Sequence, residues 1–462
     1  MPASRDVCVI VIRRGLTTVC RDMIHPFQKS LAASAAALLW LACSLHGQET
    51  PIAFVGAKII PISGEPITNG VLVVRRGRIV AIGGRDTKIP DNATTREVTG
   101  KIILPGLVDT HSHIGAVALA DSSAPIQPDI RVIDSIDVRD ASVRKARAGG
   151  ITTANVMPGS GLLVGGQTLY LKLRDGDTID GLLMTNQNGR VAGGLKMANG
   201  TNSRRDPPFP GTRGKSAALV REKFIAAQEY RDKIERAKGD AEKLPARDLG
   251  LETLVEVLKG ERVVHHHTHR HDDILTVLRL QKEFGFRVVL HHVSDGWKVA
   301  EDIAAAKVSC SVIMLDSPGG KLEARDLDFK TGAVLEKAGV LTGFHTDDPV
   351  TDSRLFLRSA ALAVRAGMSS KAALEALTLN GAKMLDLEER LGSLEPGKDA
   401  DFIVLSGEPL SVYTHVLETW VEGAKVFDLQ NPKDRLWATG GAGAGDPRRA
   451  HLCCFGSGED LR

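Results

Sequence analysis

The sequence predicts an α/β protein: a (β/α)8 TIM-like barrel carrying a small β-sandwich formed by both ends of the mature chain. Three observations predict it. Short alternating strand patterns joined by turn signals fill Pro51 to about Lys101 and recur from Asp401 to Phe427. Between these ends, eight apolar strand patterns alternate with helical ones. Imidazole and carboxylate side chains then stand where several of those strands end, which is where barrels of this kind carry function.

The first 47 residues are set aside as a leader. Lys29 precedes the apolar stretch Leu31–Ala42, which exits through small and polar residues. A basic flank, a short apolar core and a small-residue exit read as a secretory signal. The stretch is shorter than the roughly 20 residues that a spanning helix needs. Met23 would give this signal a more ordinary length than Met1 does. Ala42-Cys43-Ser44 fits a lipoprotein cleavage site poorly, so plain export, periplasmic or secreted, is expected over lipidation. After cleavage no stable transmembrane segment is expected.

Arg5, Arg13, Arg14, Arg21 and Lys29 against Asp6 and Asp22 account for the whole net charge of +3. The mature part is therefore near neutral and lacks the basic footprint of a nucleic-acid binder. Aromatic content of 4% also argues against a base-stacking platform. Outside the leader only Cys310, Cys453 and Cys454 remain, too few for a disulfide framework.

Residues 51–103 read as the first part of the sandwich and 389–430 as the second, flanking a barrel over 104–388. Within the barrel, strands are expected near 102–113, 151–157, 167–173, 191–197, 262–268, 287–293, 308–315 and 340–347. Helical patterns such as Asp273–Leu280 separate most of them. The charged segment 200–249 reads as an excursion over the barrel mouth, a candidate lid. The glycine-rich tail from 438 to 462 reads as disordered.

The most informative feature is His111-Ser112-His113, which ends the apolar run Ile102–Thr110. Side chains alternate along a strand, so the two imidazoles share a face and can grip one cation. Further donors follow at later strand ends: His265 to His271, His291-His292, and His345-Thr346-Asp347-Asp348. His265, His267 and His269 share one face if the strand persists, and periodicity does not choose among them. Imidazole and carboxylate donors without thiolate suit zinc or a similar divalent ion, one or two per chain. Such an ion lowers the pKa of its water to around 7, and a nearby carboxylate can move the proton.

These residues resemble the metal-dependent amidohydrolase superfamily, and within it the imidazolonepropionase-like group. Leu104–His113 is similar to that family's first-strand motif, and His345–Pro349 to its eighth. The stretch from Leu377 to Lys383 and on through Leu391 to Asp401 resembles its return from barrel to sandwich. The resemblance implies that His111, His113, His267, His292 and Asp347 hold metal, with Asp347 rather than Asp348 as the general acid/base. It also places Lys196 where some relatives carry a carboxylated lysine, an anionic bridge between two metals. The relatives' residues after this lysine are replaced in part by Gly200–Arg205, which leaves substrate identity open.

The implied reaction is hydrolysis of a carbon–nitrogen bond in a small-molecule amide, peptide-like or cyclic. Arg204 and Arg213, with Arg205, are candidate partners for a substrate carboxylate. Two other readings stand beside it: a deaminase on the same scaffold, and a non-catalytic exported metal-binding protein using His265–His271 as a chelating patch. An acid/base carboxylate at Asp347 argues against the second. A homo-oligomer is compatible with the sequence.

Overall fold

The structure, a computed structural model, describes residues 50–117, 120–314 and 322–440. The leader, Cys453, Cys454 and nearly all of the expected disordered tail lie outside them. At the tail's start, helix Pro432–Thr439 runs past the expected boundary, with Pro432 in its first turn and the Asn431 side chain capping Lys433 N.

Strands β1 (Ile52–Ile59), β2 (Ile67–Arg75), β3 (Arg78–Gly83), β4 (Thr94–Glu97) and β5 (Ile102–Pro105) come from the start of the described chain. β15 (Phe402–Leu405), β16 (Val416–Val421) and β17 (Ala424–Asp428) come from its end. All eight join one hydrogen-bonded sheet, ordered β17-β16-β15-β5-β1-β2-β3 with β4 on β1. The two ends meet where β5 pairs antiparallel with β15 and parallel with β1. A small β-sandwich from both ends was expected; the strands of both ends join one hydrogen-bonded sheet, because β5 has a ladder partner from each end of the chain.

One face of this sheet buries Phe54, Phe402 and Trp420 against one another, with ring centroids 4.9 to 5.6 Å apart. These large rings join buried aliphatic side chains such as Ile59, Leu72, Ile103 and Val404 in the core that holds so distant a pairing together. Beneath it, fully buried Lys172 donates to Asp399 at 2.8 Å and Asp401 at 2.5 Å, tying the terminal sheet to the central strands.

The middle of the chain is TIM-barrel-like. β6 (Leu107–Ser112) pairs parallel with β7 (Ile151–Val156). β10 (Leu195–Ala198), β11 (Val264–Thr268), β12 (Val288–His292), β13 (Ser309–Ile313) and β14 (Thr342–His345) form a parallel run. Every residue of β6, β7, β11 and β12 is buried, as expected for strands covered on both faces. β14 and β6 are joined by backbone bonds beyond their ends: Asp347 N to His111 O at 2.9 Å and His113 N to Asp348 O at 3.2 Å. No continuous closed ladder runs around all these strands among the described residues.

The strand expected near 167–173 departs from the β/α pattern. It consists of β8 (Val164–Gln167) and β9 (Leu169–Lys172), antiparallel to their neighbours β10 and β7. Only Thr168 separates them, so one extended segment crosses from one sheet to the other.

The candidate lid also differs from expectation. Helix Arg213–Ala237 runs along helix His271–Phe284, with Arg213 bonded to Asp273 near one end and Arg221 to Glu283 near the other. Phe224 stacks on Phe284 and Phe286 at 5.2 Å. It is thus a crossover helix between two parallel strands, its apolar face buried on the outer layer. From the segment before this helix, Asn199 and Asn202 lie against His267 at a strand end.

Candidate metal centre

His111 and His113 leave the end of β6, and Asp347 follows β14. The Asp347 Oδ1 stands 2.9 Å from His113 Nε2 and 3.2 Å from His111 Nε2. His113 donates from Nδ1 to Met157 O at 2.7 Å, which turns Nε2 toward the carboxylate. Asp109, two residues before His111, accepts from Thr346 N at 3.0 Å and Thr346 Oγ1 at 2.5 Å. It thereby fixes the β14 loop against β6.

Both Asp347 and His292 adopt left-handed backbone, with φ of 54° and 70°. Non-glycine residues hold that conformation only where surrounding structure compels it, commonly at functional sites. At His292 it lets two consecutive histidines serve the same interior. The His291 and His292 rings both meet His111 edge-on, with centroids 5.0 and 4.8 Å from it.

His267 and His292 lie at neighbouring strand ends with ring centroids 4.1 Å apart. Asn202, from the loop after β10, brings its Nδ2 within 3.3 Å of His267 Nε2. Lys196 is buried, and its Nζ stands 2.9 Å from His111 Nε2 and 3.1 Å from Met157 Sδ. It faces the cluster rather than solvent.

Burial sets the electrostatics. It pushes the imidazoles of His111, His291 and His292 well below their usual range, and those of His265 and His345 to about 3. Burial would raise the Asp347 carboxyl, but the facing His292 and His113 outweigh it and hold it below the usual carboxylate range. The site therefore sets neutral imidazoles at His111, His265, His291, His292 and His345 beside an ionised Asp347 carboxylate. His292 Nε2 and His111 Nδ1 are buried without a hydrogen bond. Converging lone pairs and unsatisfied nitrogens fit a divalent cation, and groups of three with donor atoms within 4.8 Å occur at His111-His113-Asp347, His267-His269-His292 and His111-His291-His345.

Asp348 is directed elsewhere: its carboxylate accepts from Ser353 N at 2.9 Å and Ser353 Oγ at 2.6 Å. The candidate arginines do not gather at the centre. Arg213 is held by Asp273 at 2.8 Å and lies 3.5 Å from Glu323, so its charge is already answered. Arg204 donates to Gly200 O at 3.2 Å, and Arg205 lies over the Phe209 ring at 3.6 Å.

Sequence reasoning placed His345 and His269 among the donors at strand ends but chose neither as a ligand. It also passed over an inner layer in which His265 Nδ1 meets His291 Nε2 at 3.0 Å and Tyr170 Oη meets His265 Nε2 at 2.9 Å. Asn202 had no periodic signal, because a loop places it.

An α/β scaffold with such a centre at its strand ends defines a metal-dependent hydrolase, and similarity to known proteins agrees. The profile of the Amidohydrolase family matches residues 232–427. The crystal structure of an amidohydrolase from Thermotoga maritima MSB8 is 33% identical, with a TM-score of 0.76, covering 82% of this chain and 100% of that one. The amidohydrolase tasK of Hapsidospora irregularis is 27% identical over 78% of this chain, which spans only 40% of tasK. A 5-methylthioadenosine/S-adenosylhomocysteine deaminase of Symbiobacterium thermophilum is 25% identical, over 76% of this chain and 84% of its own. The chain belongs to the metal-dependent amidohydrolase family and is a hydrolytic enzyme acting on carbon–nitrogen bonds.

Proposed function

We propose that this protein hydrolyses an amide bond, peptide-like or cyclic, with Asp347 as general acid/base. The observation that carries the reading is the Asp347 carboxylate standing between His111 Nε2 and His113 Nε2 while staying ionised. His111, His113, His267, His292 and Asp347 would hold a divalent metal, zinc by donor type, with Lys196 joining them in carboxylated form. When bound, the cation supplies Lewis acidity, lowering the pKa of water and polarising a carbonyl.

Asp347 accepts a proton from the attacking water as the new carbon–oxygen bond forms. It returns that proton to the nitrogen as the carbon–nitrogen bond breaks. His113, pinned to Met157 O, keeps the carboxylate oriented. Buried His111 and His292 keep bulk water from the same space.

Deamination is the second reading, favoured by the likeness to the Symbiobacterium deaminase. The same proton transfers would then serve loss of ammonia from a ring carbon. A screen of dipeptides, N-acyl amino acids, cyclic amides and aminopurine nucleosides separates the two. Release of amino acids or ring-opened acids supports amide hydrolysis, and ammonia release from the nucleosides alone overturns it. Carbon-13 bicarbonate labelling tests Lys196: a carbamate resonance is expected, and its persistence in Lys196→Ala would place the carbamate elsewhere.

We also propose that the enzyme is exported, on the signal-like stretch Leu31–Ala42. The mature protein would then start between Ser44 and Glu49. An intact leader on natural cytoplasmic protein would overturn this.

A further inference from the structure

Thr110 on β6, Ser311 on β13 and His345 on β14 reach His292 through an unbroken line of hydrogen bonds. Thr110 Oγ1 donates to Phe344 O at 3.3 Å and stands 2.6 Å from Ser311 Oγ. Ser311 Oγ stands 2.7 Å from His345 Nδ1, and His345 Nε2 stands 3.3 Å from His292 Nδ1. All four side chains are buried, so each polar atom has to find its partner within the line.

Counting protons gives the line a direction. A carbonyl only accepts, so the single Thr110 hydroxyl proton goes to Phe344 O. Thr110 Oγ1 then accepts from Ser311, which spends the single Ser311 proton. Ser311 Oγ accepts in turn, so neutral His345 carries its proton on Nδ1 and presents a lone pair at Nε2. His292 completes the line by donating from Nδ1, which leaves its Nε2 bare. That Nε2 is the atom buried without a hydrogen bond. A proton placed on it would make a buried donor with no acceptor, a costly arrangement.

We propose that Thr110, Ser311 and His345 are positioning residues that fix the tautomer of His292, holding its Nε2 unprotonated and ready for a divalent cation. His345 is then no ligand itself, since both of its nitrogens are engaged, although it stands close to His111 and His291. The proposal rests on reading His292 as a metal ligand, but not on which bond the enzyme cleaves.

A neutral imidazole has two tautomers, and only the one with a bare Nε2 can bind a cation on that side. The hydrogen bond at the other nitrogen selects between them. Here the selection is anchored in the main chain at Phe344 O and runs through uncharged groups, so no residue changes charge in this role.

The test uses the full chain with nitrogen-15-labelled histidine. It is read by magnetic resonance of the ring nitrogens and by zinc competition against a chelating dye. The His292 ring is identified by its loss in His292→Gln. Wild type is expected to carry the His292 proton on Nδ1 before zinc is added. Thr110→Val keeps the shape of the side chain but removes its oxygen, so the Ser311 hydroxyl can donate to His345 instead. The line then reverses, which moves the His292 proton to Nε2 and weakens zinc binding about 10–100-fold. Thr110→Ser returns the oxygen and should restore both tautomer and affinity. A merely structural role would lower stability without moving the proton.

A wild-type His292 protonated on Nε2 would overturn the proposal. So would a wild-type tautomer and affinity in Thr110→Val. Should that variant fail to fold, Ser311→Ala decides in the same way, because it removes the acceptor of the His345 proton. His292→Gln separates this proposal from the metal reading beneath it. Zinc affinity lost there but intact in Thr110→Val overturns the relay and keeps His292 as a ligand. Affinity intact in His292→Gln overturns the ligand, while a shifted tautomer in Thr110→Val would still support the relay.

Discussion

Asp347 Oδ1 lies 2.9 Å from His113 Nε2, on residues 234 positions apart in sequence and at the ends of neighbouring strands. The pairing is fixed from both sides: Met157 O holds the far nitrogen of His113, and Asp347 N is bonded to His111 O. A carboxylate held this way stays ionised and keeps one face open to a reacting molecule. Its side chain is 14% exposed, whereas His111 is fully buried.

Removing a single imidazole should cost metal before it costs fold. His111→Ala and His267→Ala each leave a cation with too few donors. Metal content measured on the purified variants should fall, and activity with it. Full occupancy and full activity in either variant would place the centre elsewhere.

Much of this centre was legible because strand periodicity is a hard geometric rule. His111 and His113 share a strand face by pattern alone, and the strands that end in His111-Ser112, His267-Thr268, His291-His292 and His345 formed close to where apolar runs marked them. The antiparallel segment Val164–Lys172 was not legible, since its apolar pattern is the same in either direction. The course of the helix Arg213–Ala237 was hidden for another reason. Its charged residues suggested an excursion, but Arg213 and Arg221 answer acids on helix His271–Phe284 while Phe224 packs beneath. The choice of His267, His292 and Asp347 came from family resemblance; for His292 the physical reason is visible in the structure. Its left-handed backbone, which brings it beside His291, leaves no trace in periodicity.

The junction between terminal sheet and central strands hangs on Lys172. Its ammonium is fully buried against Asp399 and Asp401, and Arg78 and Arg390 reach Asp399 at 2.6 and 3.1 Å. Lys172→Met would leave Asp401 buried with its cation gone. Breaking a buried pair from one side typically costs about 3–5 kcal/mol. Urea unfolding should show a loss of that order, and a change under about 1 kcal/mol would mean that Arg78 and Arg390 suffice.

The metal-free protein should weaken as acid is added. Burial holds His265 and His345 at about 3 in the folded state, against 6.5 for a free imidazole. Between those values the unfolded chain binds protons that the folded chain refuses. Stability is therefore full above 6.5 and falls as pH drops toward 3. Each such imidazole contributes a slope of about 1.4 kcal/mol per pH unit. Urea midpoints in chelator should drop between about pH 7 and pH 5. A flat profile would show these rings to be protonated while folded.

The two adjacent carboxylates separate chemistry from architecture. Asp347→Asn keeps an oxygen for the metal but cannot accept a proton at neutral pH. Positioned acid–base groups contribute about 10²–10⁴-fold to rate, so the loss should fall on kcat, with metal content reduced less than in the histidine variants. Asp348 instead accepts two bonds from Ser353 and is oriented away from His111 and His113. Asp348→Asn should thus lower stability, by about 1–3 kcal/mol if one of those bonds is lost, and leave kcat nearly intact once folded. Steady-state kinetics with metal analysis on both variants tests the division. Near-normal kcat in Asp347→Asn, with turnover abolished in Asp348→Asn, would reverse the roles and move the acid/base function to Asp348.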